Sequence, residues 1–309
     1  MADVADEATG DALRGDALRA ALVATFRRIM RLYFRDIERV GQQPGADVRG
    51  RVFVSNHYNA LIDPILVLTD AACEISPIAK STLWSVPGLR WLLDRAGAVP
   101  IVRRQDTPDK AAAANDGAFD TIAAHLGGGG NILIFPEGTS HSAPQLAPLR
   151  TGAARMLLAA EQHGGVAPTF QAAALEFDER QTFRSRCLVL WGPVRAFAEV
   201  PGRDVEERIR ATTAIMDADL RELLVEGETH EDRLRIARVA ELYANETGDA
   251  TMEAWSDIGR QVALARHTLR TVDPDVVASV ARHVDAYYAE LDRLGVRDAQ
   301  VARAAPPEL

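Results

Sequence analysis

The sequence predicts an α/β fold: a mostly parallel central sheet flanked by helices, with an N-terminal amphipathic helix and an all-helical C-terminal extension. Short apolar runs alternate with helical patterns over the first two thirds of the chain, which is typical of βαβ units and a parallel sheet. From about residue 203 onward the strand patterns stop, and long charged helical patterns follow.

The predicted strands are short apolar runs that end at polar or turn-forming residues. We expect them at 52–54, 75–79, 97–104, 131–135, within 169–177, and at 187–191. Helices are expected between them at 62–72, 83–95 (broken by Pro87-Gly88), 108–126 and 151–163. The C-terminal helices are expected at 204–226, 231–246, 250–271 and 274–294.

The N-terminal segment differs in composition from the rest. Residues 1–17 are acidic and small, and we expect a disordered tail. Residues 18–40 have apolar residues every three or four positions, interleaved with Arg19, Arg27, Arg28, Arg31, Arg35 and Arg39. Such a helix either packs on the domain with solvated arginines or lies in a membrane interface that contains anionic lipid.

These patterns divide the chain into three parts. A tail of residues 1–17 precedes an α/β domain of residues 18–200, which includes the amphipathic helix, and a helical region of residues 201–309 follows. The helical region has no motif, and it either packs on the core, pairs with a partner or supports a membrane-facing surface.

Composition excludes several classes of protein. The net charge of -9 argues against a nucleic-acid binder, because phosphate backbones need a basic surface. Cys73 and Cys187 lack metal-ligand spacing and are expected to be free, buried thiols in a reducing compartment. No segment resembles a signal peptide or an apolar span of about 18 residues. We therefore expect a cytoplasmic protein with peripheral contact to the inner face of the membrane.

A histidine and an aspartate follow the predicted strand 52–54. On one continuous helix, residues six apart differ by about 240°, so His57 and Asp63 meet only if the chain turns between them. We expect His57 on the strand-end loop and Asp63 in the first turn of the next helix, where Pro64 is tolerated. The pair is a candidate general base with its orienting carboxylate; otherwise both residues are structural.

Two further strands end in polar residues. Arg103 and Arg104 close one strand, and Glu137-Gly138-Thr139 closes another. Because ligands in open α/β sheets lie beyond the carboxyl ends of strands, these groups are expected to share a cleft with His57. Taken singly, the arginines are a solvated pair and the Pro-Glu-Gly segment is a turn.

The order of the three groups resembles the glycerolipid acyltransferase superfamily over about residues 25 to 200. N-H-Y-N-A-L-I-D at 56–63 resembles its first block, N-H-x-x-x-x-D, and G-A-V-P-I-V-R at 97–103 resembles the second. F-P-E-G-T-S at 135–140 resembles the third, F-P-E-G-T-R-S. The superfamily includes glycerol-3-phosphate and lysophosphatidate acyltransferases of phospholipid synthesis.

The resemblance implies O-acyl transfer from acyl-CoA or acyl-carrier protein to a glycerol-phosphate or lysophosphatidate-like acceptor, with no metal and no tightly bound cofactor. It implies that His57 takes the acceptor's proton, that Asp63 orients the imidazole, and that Arg103 holds the acceptor phosphate. The other substrate-binding residues it implies are Asn56, Lys80, Arg104, Glu137, Gly138 and Thr139.

The chain departs from the family pattern at several positions. Five residues separate His57 from Asp63 where four are usual, and Tyr58 stands where a subgroup with N-H-P-N-A-L-x-D-P has proline. Ser140 and His141 replace the Arg-Ser of the third block, and the fourth block is degenerate at 171–177. An acceptor phosphate would then need Arg103, Arg104 or Arg150. We expect His141 to be an exposed loop residue rather than a second acid/base.

Two alternatives therefore stay open. One is a non-catalytic, lipid-binding member of the same fold, which the altered third and fourth blocks favour. The other is an acyltransferase on a non-phosphorylated acceptor. The sequence leaves open the acyl-chain length, the identity of the donor and the oligomeric state.

Overall fold

The computed structural model describes residues 2–102, 111–180 and 182–304, with side chains described for 17–102, 117–180 and 182–301. Arg103 and Arg104, two of the expected binding residues, lie outside these ranges.

Within these ranges the strands form one seven-stranded sheet, in the order β1-β7-β6-β2-β5-β3-β4. The strands are β1 (Asp36–Gly41), β2 (Arg51–Val54), β3 (Ser76–Lys80), β4 (Val99–Ile101), β5 (Ile132–Ile134), β6 (Thr169–Phe177) and β7 (Arg186–Ala196). Strands β2 to β6 run parallel, whereas β7 is antiparallel to β6 and β1 is parallel to β7. The predicted mostly parallel α/β sheet is confirmed.

Helices flank the sheet and make up the C-terminal region, as predicted. They are α1 (Ala2–Tyr33), α2 (Ile62–Asp70), α3 (Leu89–Arg95), α4 (Ala111–Gly127), α5 (Gly152–His163), α6 (Val205–Leu223), α7 (His230–Thr247), α8 (Met252–Val272), α9 (Pro274–Leu294) and α10 (Asp298–Ala304). Short 3-10 turns lie at Ser81–Ser85 and Phe197–Glu199.

The N-terminal segment differs from the prediction at both ends. Helix α1 begins at Ala2, where we expected a tail, and it ends at Tyr33 rather than near Val40. The residues that follow form β1, which pairs in parallel with β7. Glu38 of this strand also accepts the backbone N–H of Met252, at 2.7 Å, at the start of α8. Both interactions join residues that are far apart in the sequence, so a local helical pattern could not predict them.

Strand β7 continues beyond its predicted end at Trp191. Its residues Gly192 and Pro193 lie opposite Ala172 of β6, where the antiparallel register is irregular. Because proline has no backbone N–H, it is tolerated in a strand at such a bulge. The strand therefore passes through a Gly-Pro pair that the sequence marks as a turn.

The core lies on both faces of the sheet. Val52 and Val54 of β2 pack into one cluster and Phe53 into the other, as the alternation of side chains along a strand requires. The first cluster also contains residues of α6, α7 and α8: Met216, Leu220, Ile236, Ala240, Met252 and Trp255. Of the three alternatives for the helical region, packing on the core holds for these helices.

Two further expectations concern the membrane and the cysteines. Among the described residues, no helix combines the length and the apolar content that crossing a membrane requires. Cys73 and Cys187 are free and buried, as predicted.

Candidate active site

The loop after β2 is fixed to the neighbouring strand by Asn56. Its side-chain amide donates to the carbonyl of Leu175 at 3.0 Å, and its oxygen accepts the Leu175 backbone N–H at 2.8 Å. Asn56 is almost fully buried, and Leu175 belongs to β6. We expected Asn56 to bind substrate, but its side chain instead forms hydrogen bonds that hold the His57 loop at the sheet edge.

His57 and Asp63 form the predicted pair. Nδ1 of His57 lies 3.1 Å from Oδ2 of Asp63, which is buried in the first turn of α2. The same oxygen accepts the backbone N–H groups of Tyr58 and Asn59, each at 2.6 Å. Three donors on one oxygen fix the carboxylate before any substrate arrives.

The imidazole ring has one nitrogen left for chemistry. It stacks on Phe135 with ring centroids 4.0 Å apart, and its side chain is only 9% exposed. Since Nδ1 is bonded to Asp63, and Nε2 has no hydrogen-bond partner among the described residues, a substrate hydroxyl has a single ring nitrogen to meet. This is the arrangement that a general base requires.

Glu137 holds the His57 loop from the other side. One of its carboxylate oxygens accepts the backbone N–H of His57 at 2.7 Å; the other accepts the N–H of Ala147 at 2.8 Å and is bonded to Nε2 of His141. The backbone N–H of His141 in turn donates to the carbonyl of His57. His141 is therefore a partly buried member of this network, not the exposed loop residue that we expected.

The other expected residues lie around this centre. Gly138 has a φ of +79°, and a side chain there would come within 2.7 Å of Nε of Arg150, so glycine is needed at this turn. Thr139 is exposed. Lys80 ends β3, which β5 separates from β2. The structure thus places His57, Asp63, Asn56 and Glu137 in one bonded group, with Lys80 further along the same edge.

Sequence reasoning missed Arg180. It follows β6, the direct neighbour of β2, at the same carboxyl edge of the sheet. Its guanidinium carbon lies 3.3 Å from the ring centroid of Tyr58. Arg180 and Asp63 line one cavity of about 120 Å³. The strand-end argument that selected the other three groups would also have selected Arg180, had it been applied to the strand within 169–177.

Metal chemistry has no obvious site in the described part of the chain. There, no group of three or more His, Cys, Asp or Glu side chains is placed to hold a metal ion.

Part of the chain is similar to known acyltransferases. Residues 34–170 match the model of the family described as Acyltransferase. The chain is 27% identical over 210 residues to glycerol-3-phosphate O-acyltransferase 2 of Saccharomyces cerevisiae. The aligned region covers 63% of this chain and 27% of that protein. It is 24% identical over 189 residues to an uncharacterised acyltransferase of Schizosaccharomyces pombe, and this aligned region covers 59% of this chain and 28% of that protein. The chain thus spans under a third of the length of these two relatives.

A solved structure was also compared. The crystal structure of the 1-acyl-sn-glycerophosphate acyltransferase PlsC from Thermotoga maritima superposes with a TM-score of 0.48 and 15% identity, over 67% of this chain and 82% of that one. The family match covers the His57, Asp63 and Glu137 positions that carry the resemblance. Residues 34–170 therefore match the Acyltransferase family, and the α/β domain is similar to a glycerol-3-phosphate O-acyltransferase.

Proposed function

We propose that the protein is an O-acyltransferase that moves a fatty acyl group from acyl-CoA or acyl-carrier protein to a hydroxyl of a glycerol-phosphate or lysophosphatidate-like acceptor. The observation that carries this proposal is the contact of 3.1 Å between His57 Nδ1 and Asp63 Oδ2, with Asp63 buried and held by two backbone N–H groups.

The chemistry follows from the protonation states that this contact favours. The Asp63 carboxylate accepts a hydrogen bond from Nδ1–H, which leaves a lone pair on Nε2 of His57. Nε2 takes the proton of the acceptor hydroxyl while its oxygen attacks the thioester carbonyl carbon. The tetrahedral intermediate collapses, the C–S bond breaks, and the departing thiolate takes the proton from His57. Asp63 stabilises the imidazolium between these steps.

No covalent enzyme intermediate is needed, because a thioester is already an activated acyl group. A hydroxyl is a weak nucleophile at neutral pH, and a positioned base is typically worth about 10²- to 10⁴-fold in rate. Removal of the fixed imidazole should therefore remove this rate factor.

The test is transfer of a radiolabelled acyl group by the full-length chain. Donors are acyl-CoA and acyl-carrier protein, and acceptors are glycerol 3-phosphate, lysophosphatidate and an uncharged lysolipid, with products identified by mass spectrometry. We expect His57→Ala to lose at least about 100-fold in kcat/KM, with an unchanged circular-dichroism spectrum.

His267→Ala is the matched control, because His267 is exposed on α8. It should retain full activity. Full activity in His57→Ala would remove this residue from the mechanism. A wild-type protein that binds liposomes but acylates none of the acceptors would support the lipid-binding alternative instead.

We also infer peripheral membrane contact through α1. This helix exposes Ile29 and Leu32, at 44% and 67%, and the neighbouring Arg28 and Arg31 are exposed as well. Apolar side chains beside cations favour an anionic lipid surface. Leu32→Glu should reduce co-sedimentation with vesicles that contain anionic lipid, whereas equal binding of wild type and variant would contradict this contact.

A further inference from the structure

Arg180 lies beside the catalytic pair although it is far from it in sequence. Strand β6 delivers it to the carboxyl edge next to β2, and Asn56 joins the two strands just before this edge. The Arg180 guanidinium stacks on Tyr58, the residue that follows His57. The arginine is therefore anchored to the same loop that carries the general base.

Two nitrogens of this guanidinium are buried and have no hydrogen-bond partner in the described part of the chain. Nε and Nη2 of Arg180 are shielded from solvent and form no hydrogen bond with the described residues. Neighbouring Arg233, by contrast, donates to Glu176 at 2.7 Å and to the carbonyl of Val225 at 3.1 Å. A buried donor without an acceptor is costly, so such a group in a folded protein indicates a ligand, water or strain.

The charges of two carboxylates, Glu176 and Asp63, act on Arg180, and their hydrogen bonds go mainly to other groups. Glu176 is fully buried and accepts from Arg233 and from the backbone N–H of Val225. Oδ2 of Asp63 accepts from His57 and two backbone N–H groups. Burial is the main influence on Arg180 and lowers its pKa from the ordinary value, but an arginine keeps its charge at neutral pH. Arg180 therefore brings a full positive charge to the cavity, and among the described residues neither carboxylate forms a hydrogen bond with its Nε or Nη2.

Both polar and apolar side chains line the cavity. The polar lining includes Arg180, Tyr58, Asp63 and Ser142, and the apolar lining includes Phe34 and Phe177. Oδ1 of Asp63 is also buried without a partner. An anionic group in this cavity would pair with Arg180, and a bridging water would supply the donor for Oδ1 of Asp63, which leaves the reacting hydroxyl of the acceptor for Nε2 of His57.

Two differences between this sequence and the family pattern bear on the role of Arg180. The third block has Ser140 and His141 where the family pattern has an arginine, and Tyr58 replaces a subgroup proline. The aromatic ring is what holds the Arg180 plane beside the cavity, and a planar guanidinium fork suits phosphate oxygens. Arg180 thus offers a positive charge to a site whose third block lacks one.

We propose that Arg180, supported by Tyr58, binds the phosphate of the acyl acceptor in the cavity beside His57 and Asp63. This inference rests on the proposed function and sharpens it. It makes the preferred acceptor a phosphate monoester that carries a free hydroxyl, and it makes Arg180 the residue that separates such acceptors from uncharged ones.

The experiment compares acceptors that differ only by the phosphate, glycerol 3-phosphate against glycerol and lysophosphatidate against monoacylglycerol. Arg180→Gln should raise KM for the phosphorylated member about 10- to 100-fold, because charge-assisted hydrogen bonds are lost. The KM values for the uncharged member and the acyl donor should change by less than about twofold. Arg180→Lys should give an intermediate KM, since it keeps the charge but not the fork.

Arg184→Gln is the matched control, because Arg184 lies in the same loop and is exposed. It removes one positive charge and should leave both KM values unchanged. Equal losses with phosphorylated and uncharged acceptors in Arg180→Gln would overturn the proposal, because they would show a purely structural role. A KM for the phosphorylated acceptor that does not change would overturn it as well.

A binding measurement separates this proposal from the proposed function. Inorganic phosphate and glycerol 3-phosphate should raise the thermal unfolding temperature of the wild type and of Arg184→Gln, but not that of Arg180→Gln. If the wild type acylates no acceptor yet shows this Arg180-dependent shift, acyl transfer fails and the anion site stands. If phosphate gives no shift in the wild type and no acceptor is preferred, the anion site is overturned.

Discussion

The surroundings of His57 and of Arg180 differ in how many of their polar atoms form hydrogen bonds. Around His57, hydrogen bonds occupy Oδ2 of Asp63 and both oxygens of Glu137, and these bonds fix the loop that carries the base. Beside Tyr58, two buried nitrogens of Arg180 have no partner among the residues described. A general base must be oriented before the reaction starts, whereas a binding group must keep its hydrogen bonds available for the ligand.

The largest effect expected on the fixed side comes from Asp63→Asn. An amide has about the same shape, but it cannot stabilise an imidazolium, and its NH₂ group favours the wrong tautomer of His57. We expect kcat/KM to fall about 10³- to 10⁴-fold for every acceptor, by analogy with other histidine–carboxylate pairs. The exposed Asp275 supplies the control variant Asp275→Asn. A loss of less than tenfold would mean that the carboxylate is not needed to orient the base.

A smaller effect is expected from Glu137→Gln. The substitution turns one acceptor oxygen into a donor, so the N–H of His57 or of Ala147 loses its partner in a buried site. We expect unfolding free energy to fall by about 1–3 kcal/mol, with kcat falling while KM for the phosphorylated acceptor stays constant. Urea unfolding and steady-state kinetics measure the two effects. Glu253→Gln, at an exposed position, should change neither.

The smallest effect is expected at Tyr58, and it separates the ring from the hydroxyl. Burial is the main reason that the pKa of Tyr58 rises to about 12, so the phenol stays neutral at ordinary assay pH. Tyr58→Phe keeps the ring under Arg180 and should change KM by less than about twofold. Tyr58→Ala should raise KM for phosphorylated acceptors about 3- to 30-fold, from the strength of a cation–π contact. Equal KM values for Tyr58→Phe and Tyr58→Ala would contradict the inference that the aromatic ring supports Arg180.

Much of the fold followed from local patterns, and the exceptions share one cause. The strand runs and the C-terminal helices appear near their predicted positions because apolar periodicity is a short-range property. Strand β1 was missed because its six residues gain strand structure from pairing with β7. The true end of β7 was missed because the bulge that accommodates Pro193 depends on its partner strand.

In the site, too, local features could be predicted from the sequence, and contacts between neighbouring strands could not. The turn between His57 and Asp63 was predictable, since a six-residue spacing and Pro64 leave one way for the two side chains to meet. Glu137 was expected to face the acceptor, yet its carboxylate accepts the N–H of His57 from the neighbouring strand end. Arg180 belongs to no block of the family, and only the adjacency of β2 and β6 brings it to Tyr58.

By itself, the sequence determined the α/β class, the resemblance to acyltransferases and the pairing of His57 with Asp63, because these depend on periodicity and on residues close together in the chain. Only the tertiary structure decided which side chains hold the base and which one keeps unpaired donors beside it. Hydrogen bonds between strand ends depend on which strands are neighbours in the sheet, and strand order is not written in any single stretch of residues.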